Sequence, residues 1–436
     1  MNEKRRTLLK AMGGSTALAG LAGCISTGGD GGDGGDGSDG SDGSDGGDGS
    51  DGGDGSDGGA GNSGSARLWA DLTDAEDEDM DAYISDFEEE SGYTINKEAP
   101  GGELDQQLET AIPAGDGPDS WIWAHDWVGR FAVREDPPFL YDASDDVDVS
   151  LDSYTETAQQ AAQFDGGLYG LPFASETAAL YYNADMVEEP PETLEEMVSV
   201  MEEHHDPENG QYGLSFPGVD PYQASGFIQA YGGDLFDEEN LEVTVDSDAC
   251  KRGMDALETL YEYMPADPGY ESQIVAFSDG LAPFAINGPW ELGNLQSEVD
   301  NLGVTTLPTV DGNNPRSYSG VQLFYFSSML ADADQSTVDA ATGLAEWYTT
   351  NPEIIRNNAE SQGYIPVLGE VVESGDVADE VQAFAQQVEH GVPMPSHPDM
   401  DSVWTPVTDA LERVFNGDQE SDAALDQAAS EIREAL

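Results

Sequence analysis

Beyond residue 65 the chain alternates short apolar runs with amphipathic stretches. Ala66-Arg67-Leu68-Trp69-Ala70 reads as a strand. From Glu76 to Glu90, Met80, Ile84 and Phe87 recur at i, i+4 and i+7 while acids fill the other faces, so the spacing predicts a helix. Tyr93–Asn96 predicts a second strand, Leu104–Ile112 a helix, and Ser120–Ala124 a third strand. This βαβαβ rhythm predicts the α/β class, with a mainly parallel sheet covered by helices on both faces. Ligands of such sheets sit beyond the carboxyl ends of the strands, which directs attention to Trp69–Asp74 and Trp123–Trp127. About 370 residues of this pattern fit two lobes, and the space between lobes is the expected ligand site. A further helix is predicted over Ser247–Tyr263, with Cys250 in it as a small buried hydrophobe.

The first 65 residues have a different character. Lys4-Arg5-Arg6-Thr7-Leu8-Leu9-Lys10 precedes a weakly apolar run, Ala11 to Ala22, that is too short and too rich in glycine to span a bilayer. A twin arginine ahead of such a segment reads as a signal for export of a folded protein. The run closes on Leu21-Ala22-Gly23-Cys24, which looks like a lipobox, so residues 1–23 are expected to be removed and Cys24 lipidated. Cys24 and Cys250 are the two cysteines of the chain, and lipidation of the first leaves no intramolecular disulfide to form. From Gly28 to Asp57 the triplet Gly-(Gly/Ser)-Asp repeats ten times. It lacks the proline of collagen and the apolar residue per turn of a calcium-binding β-roll. Residues 24–65 therefore read as a flexible, self-repelling tether, with an r.m.s. span of about 30–35 Å over residues 28–64.

Charge narrows the partners. The chain carries 89 Asp+Glu against 14 Lys+Arg, a net charge of −75. That excludes a nucleic-acid binder working by phosphate neutralisation, and docking on anionic lipid through basic residues. Removing residues 1–23 deletes four basic residues and one acid, leaving 10 basic and 88 acidic residues. A shell so acidic is expected of a halophilic protein that depends on strong ionic screening.

Asp116-Gly117-Pro118-Asp119 followed by Trp121-Ile122-Trp123-Ala124-His125-Asp126 closely resembles the first-lobe segment of the maltose/maltodextrin-binding proteins of ABC importers, in a haloarchaeal form. Four further stretches match that family in order. They are Gly170-Leu171-Pro172-Phe173 through Glu176 to Tyr182-Asn183, Ile286-Asn287-Gly288-Pro289-Trp290, Gly303-Val304-Thr305-Thr306-Leu307-Pro308-Thr309, and Met394-Pro395 with Met400 and Trp404. The resemblance covers nearly all of residues 66–436. It implies a two-lobed periplasmic-binding-protein-like fold of type II, with residues 66–175 and 321–368 in lobe 1 and 176–320 and 369–436 in lobe 2. Three hinge crossovers are expected near Phe173–Thr177, Tyr318–Gln322 and Pro366–Glu370. The implied function is to capture a sugar between the lobes and deliver it to a permease and its ATPase, with no chemistry performed. The protein is expected to act as a monomer on the outer face of the membrane, without cofactor or metal.

A pyranose has apolar C–H faces and a rim of hydroxyls, so its site needs flat aromatics and carboxylate acceptors. By the family motifs, Trp123, Tyr222, Trp290 and Trp404 match sugar-stacking aromatics. Asp126, Glu176 and Asp220 match hydroxyl-binding acids, and Tyr270 matches a cleft tyrosine. The family's basic residue in the first strand-end loop is absent, and Asp71 and Asp74 stand in that loop instead. Two family arginines are replaced by Trp127 and Thr408. A cleft short of three cations suits a neutral sugar and disfavours an anion. It leaves open maltose, longer glucans, or another di- or oligosaccharide such as trehalose. A glycoside hydrolase would need a carboxylate pair, which 89 acids supply by chance, so pairing alone carries no information. His204-His205 have no partners at metal-ligand spacing, His125 is read as positioning its loop, and no glycine-rich phosphate loop follows a strand.

Overall fold

The computed structural model describes residues 63–436 apart from 102, 239 and 376. The export signal, Cys24 and the repeats therefore lie outside the described residues. The sheet-forming chain begins with β1 (Ser65–Trp69), β2 (Thr94–Glu98) and β3 (Ser120–Ala124), parallel in the order β2-β1-β3. β4 (Gly170–Thr177), β5 (Ala179–Asn183), β6 (Phe284–Asn287), β7 (Leu302–Thr305) and β8 (Tyr318–Phe326) follow. Two short strands, β9 (Ile365–Pro366) and β10 (Val392–Pro393), belong to the larger sheet, and two-residue hairpins pair Gln163–Phe164 with Gly167–Leu168 and Phe236–Asp237 with Glu242–Val243. The larger sheet runs β9-β4-β8-β3-β1-β2, with β10 beside the start of β8, and the smaller runs β6-β5-β7.

The predicted parallel pairing holds for the first three strands and for the short β10 beside β8. β8 lies antiparallel to both β3 and β4, and β9 antiparallel to β4. The reason is topological: β4 and β8 carry the chain away from and back to the first sheet, so they meet as neighbours running in opposite senses. Most residues of both strands are buried.

Local sequence explains the helices that frame the site. Asp74–Ser91 starts at a capping box in which Glu76 accepts from the Thr73 amide at 2.9 Å, and ends at Gly92 with φ 80°. Its buried residues are Met80, Ile84 and Phe87, the stripe expected from periodicity. Leu104–Ala114 buries Leu104, Leu108 and Ile112. Asp401–Phe415 buries Val403, Val407, Ala410, Leu411, Val414 and Phe415 against the second sheet's partners.

The apolar interior divides into two large clusters and a small one. The first draws on residues between Ala66 and Ala174 and between Val321 and Val371. The second takes Ala124 and residues from Ala178 to Ile432. The small cluster centres on Tyr181, Leu292 and Phe384. Where the first two meet, Gly129 lies so close to the Ser396 carbonyl and Pro398 that any Cβ would strike them. Among the described residues no helix is long and apolar enough to cross a membrane.

Candidate functional site

The carboxyl end of β3 delivers Trp123, Ala124, His125 and Asp126 to the boundary between the two cores. Trp123 is half-buried and packs against both cores. Its ring stacks on Trp127 with centroids 4.5 Å apart and planes 18° apart. The residue that replaces a family arginine thus supports an aromatic platform. His125 is fixed in one neutral tautomer. The Val321 amide donates to its Nδ1 at 3.1 Å, so Nε2 carries the proton and donates to the Met394 carbonyl at 3.0 Å. Burial lowers its pKa to about 4. His125 therefore ties the β3 loop to β8 and to the Met394 segment, the loop-positioning role expected of it.

Asp126 follows. Its Oδ1 is buried without a hydrogen-bond partner among the described residues. Burial pushes its pKa to about 8, against a downward pull from Arg130, while Glu176 and Asp401 add to the rise. Glu176, near the end of β4, is 4 % exposed and accepts from Gln322 Nε2 at 2.8 Å. Burial raises it to about 7; the Gln322 bond opposes this and the charge of Glu76 adds to it. Any side chain at Gly320 would collide with the Glu176 carboxylate, so the cross-strand glycine makes the room this acid occupies.

Asp220 caps the helix Pro221–Ile228, accepting from the Tyr222 and Gln223 amides at 2.7 and 3.2 Å through the same Oδ1. The cap aims Tyr222 inward. Its hydroxyl is buried, donates to no acceptor among the described residues, and feels the charges of Glu176, Asp220 and Asp126. Burial, with those acids adding, holds this phenol well above its ordinary range. The Tyr222 ring lies 6.2 Å from that of Trp290, tilted by 42°. Trp290 Nε1 donates to the Tyr270 hydroxyl at 2.6 Å, which in turn donates to Glu291 at 2.7 Å. Trp404, half-buried on the second core, meets Tyr318 edge-on at 6.0 Å.

The structure thus brings the charges of Asp126, Glu176 and Asp220 to bear on Tyr222 and couples Tyr222, Trp290 and Tyr270 through ring contact and hydrogen bonding. Asp71 and Asp74 are exposed, and neither bonds to another candidate. The first turn of the helix that Asp74 opens holds a more buried acid, Glu76. Beyond its capping bonds, Glu76 accepts from the Tyr364 hydroxyl at 2.7 Å, and burial, with Glu291 adding, raises its pKa. The Thr73-x-x-Glu76 spacing marks a helix start, but its link to Tyr364 spans 288 residues and leaves no local trace. Glu291 and Gln322 likewise escape motif reasoning.

Among the described residues no group of three His, Cys, Asp or Glu side chains could hold a metal ion. Cys250 is fully buried in the helix Asp248–Tyr261, and burial pushes its thiol to about 11. A cavity of about 490 Å³ lined by Ser65, Arg67, Asp119 and Asp334 opens at the amino-terminal ends of β1 and β3, the end of the sheet remote from these acids and rings.

A boundary between two apolar cores that carries flat rings and buried carboxylates, one with an unpartnered Oδ1, suits the capture of a small solute. Residues 82–385 match the family described as bacterial extracellular solute-binding protein, and the chain belongs to it. It is 37 % identical over 329 residues to the maltotriose-binding protein of Pyrococcus abyssi (strain GE5 / Orsay), covering 73 % of this chain and 70 % of that one. A galactooligosaccharide-binding protein of Bacillus subtilis (strain 168) is 27 % identical, over 79 % of this chain and 84 % of its own. A maltooligosaccharide ABC transporter solute-binding lipoprotein of Streptococcus pneumoniae (strain ATCC BAA-255 / R6) is 23 % identical, over 84 % and 89 %.

Proposed function

We propose that this protein captures malto-oligosaccharides, with maltotriose the leading ligand, and hands them to the permease and ATPase of an ABC importer without altering them. The observation that carries the reading is a set of rings, Trp123, Tyr222, Trp290 and Trp404, at the same boundary as two buried carboxylates, Asp126 with an unpartnered Oδ1 and Glu176 held by Gln322. An aromatic face removes the C–H side of a pyranose from water, and a carboxylate takes its hydroxyls in charge-assisted bonds. Removing either partner leaves a buried group unpaired, which supplies selectivity. Identity to a maltotriose-binding protein supports the ligand.

In this reading residues 66–175 and 321–368 form lobe 1, and 176–320 and 369–436 lobe 2. The lobes turn about the crossings at Phe173–Thr177, Tyr318–Gln322 and Pro366–Glu370, and the sugar stabilises the closed arrangement that the permease recognises. The division of the apolar core supports those boundaries. Export by the twin-arginine signal and lipidation at Cys24 would hold the monomer at the outer membrane surface. A lipoprotein relative supports this anchoring, and Cys24→Ala is expected to release the exported protein into the medium.

A calorimetric panel of sugars in molar KCl tests the function. Maltotriose should bind and raise the melting temperature, and maltoheptaose should show no reducing-end release. A response to a galacto-oligosaccharide alone, which the second relative makes the alternative, would keep the class and overturn the ligand. Release of reducing ends would overturn the class.

A further inference from the structure

Arg130 lies on the short helix Trp127–Ala132, one turn beyond Asp126, and its side chain is 13 % exposed. Its own core holds it on several sides. NH2 reaches Glu109 at 3.3 Å and Asp105 at 3.7 Å, and the guanidinium carbon stands 4.8 Å from the centre of the Phe131 ring and 5.5 Å from that of Trp127. NH1 points the other way and meets Asp401 at 2.9 Å. Asp401 opens the helix Asp401–Phe415, which carries Trp404 and packs in the second core. One ion pair therefore joins the turn bearing Asp126 to the helix bearing Trp404, across the boundary between the cores. Nothing in the sugar-binding motifs marks either residue.

We propose that Arg130 and Asp401 form a clasp that holds the cleft shut over bound sugar, acting as positioning residues for Asp126 and Trp404 without touching the ligand. The inference rests on the two-lobed capture reading above. Its asymmetry suits the role. Arg130 is pre-set by Asp105, Glu109 and two rings, so little side-chain entropy is lost when the lobes meet. Asp401 is about half exposed and changes partner from water to guanidinium as they close. The close passage of Gly129 beneath Ser396 and Pro398 lets the two elements approach that far. Asp401 sits in the first turn of its helix, where a carboxylate is already favoured.

A clasp of this kind acts on release more than on encounter. Stopped-flow Trp fluorescence with maltotriose in molar KCl should show Asp401→Asn leaving about three- to tenfold faster, with the association rate nearly unchanged. Asp401→Glu should restore the rate to within about twofold, and Arg130→Met/Asp401→Asn should release no faster than Arg130→Met alone. Equal release from wild type and Asp401→Asn, or additive effects in the double variant, would overturn the clasp. The pair is already made without ligand, so hydrogen exchange of residues 127–133 and 398–404 in sugar-free protein, which reads how often the two elements part, separates the two claims. Faster exchange in Asp401→Asn supports the clasp even if no sugar binds, an outcome that would sink the capture reading alone. Unchanged exchange together with unchanged release sinks the clasp and leaves the capture reading standing.

Discussion

Trp290 is the residue whose loss should speak most directly to sugar binding. Its ring is half-buried on the first core, beside Tyr222, and its N–H is the first link of a chain through Tyr270 to Glu291. A Trp buries roughly 150–250 Å² when fully enclosed. About 70 Å² of that remaining available to a pyranose face would correspond, at about 25 cal/mol per Å², to about 1.8 kcal/mol. Trp290→Ala should therefore weaken maltotriose binding about 20-fold. Trp290→Phe keeps a flat face but loses the donor to Tyr270, so it should fall between wild type and the alanine variant. Tyr270→Phe leaves the ring stack intact and cuts the chain of hydrogen bonds, separating stacking from bracing. Calorimetry in molar KCl measures each affinity, and thermal melts without sugar check that the fold is preserved. A Trp290→Ala protein that melts like wild type and binds maltotriose within about twofold of it would refute the stacking argument.

Three other outcomes can be checked on the same material. His125 is depressed to about 4 in the folded protein, so the stability of its neutral form is present above the unfolded pKa near 6.5 and is lost as pH falls toward 4. The stability difference between wild type and His125→Gln should narrow by about 2.5 kcal/mol between pH 7.5 and 4.5 in chemical denaturation; a constant difference would contradict the depressed pKa. Asp126 and Glu176 sit at about 8 and 7, and sugar hydroxyls donating to them favour the ionised forms. Binding near pH 7 should release protons, seen as a buffer-dependent calorimetric enthalpy that shrinks in Glu176→Gln; proton uptake would reverse the reasoning. Finally, with a net charge of −75, the melting temperature should climb steeply from 10 mM to molar KCl, and equal melting temperatures at the two would deny the need for screening.

Periodicity and caps made the framework legible. Met80, Ile84 and Phe87 are the buried face of their helix, and the strands of β1 to β3 fall within a residue or two of their expected places. Such features depend on neighbours along the chain. The direction of β8 did not follow, because a strand's sense within a sheet depends on where the chain last left it. In the site, the motif residues Asp126, Glu176 and Tyr222 converge as expected. Asp71 and Asp74 are exposed and do not join them, while Glu76, in the first turn of the same helix as Asp74, is held by Thr73 and Tyr364. Gln322, Arg130 and Glu291 act through partners distant in sequence, so single-residue chemistry could not single them out.

The position of β1 has a mechanical consequence. Near the start of the described residues stands a strand that lies inside the sheet, paired over five residues with β2 on one side and over two with β3 on the other. A drag force pulling through the preceding chain is directed along that strand. It loads the ladders in shear, where many bonds must yield together, instead of peeling them one by one as at a free edge. β8, which spans the join between the cores, is separated from β1 by β3 and takes little of the load. If the residues before it act as the expected tether, force through them would meet the fold where it resists shear best and would leave the join between the cores lightly loaded.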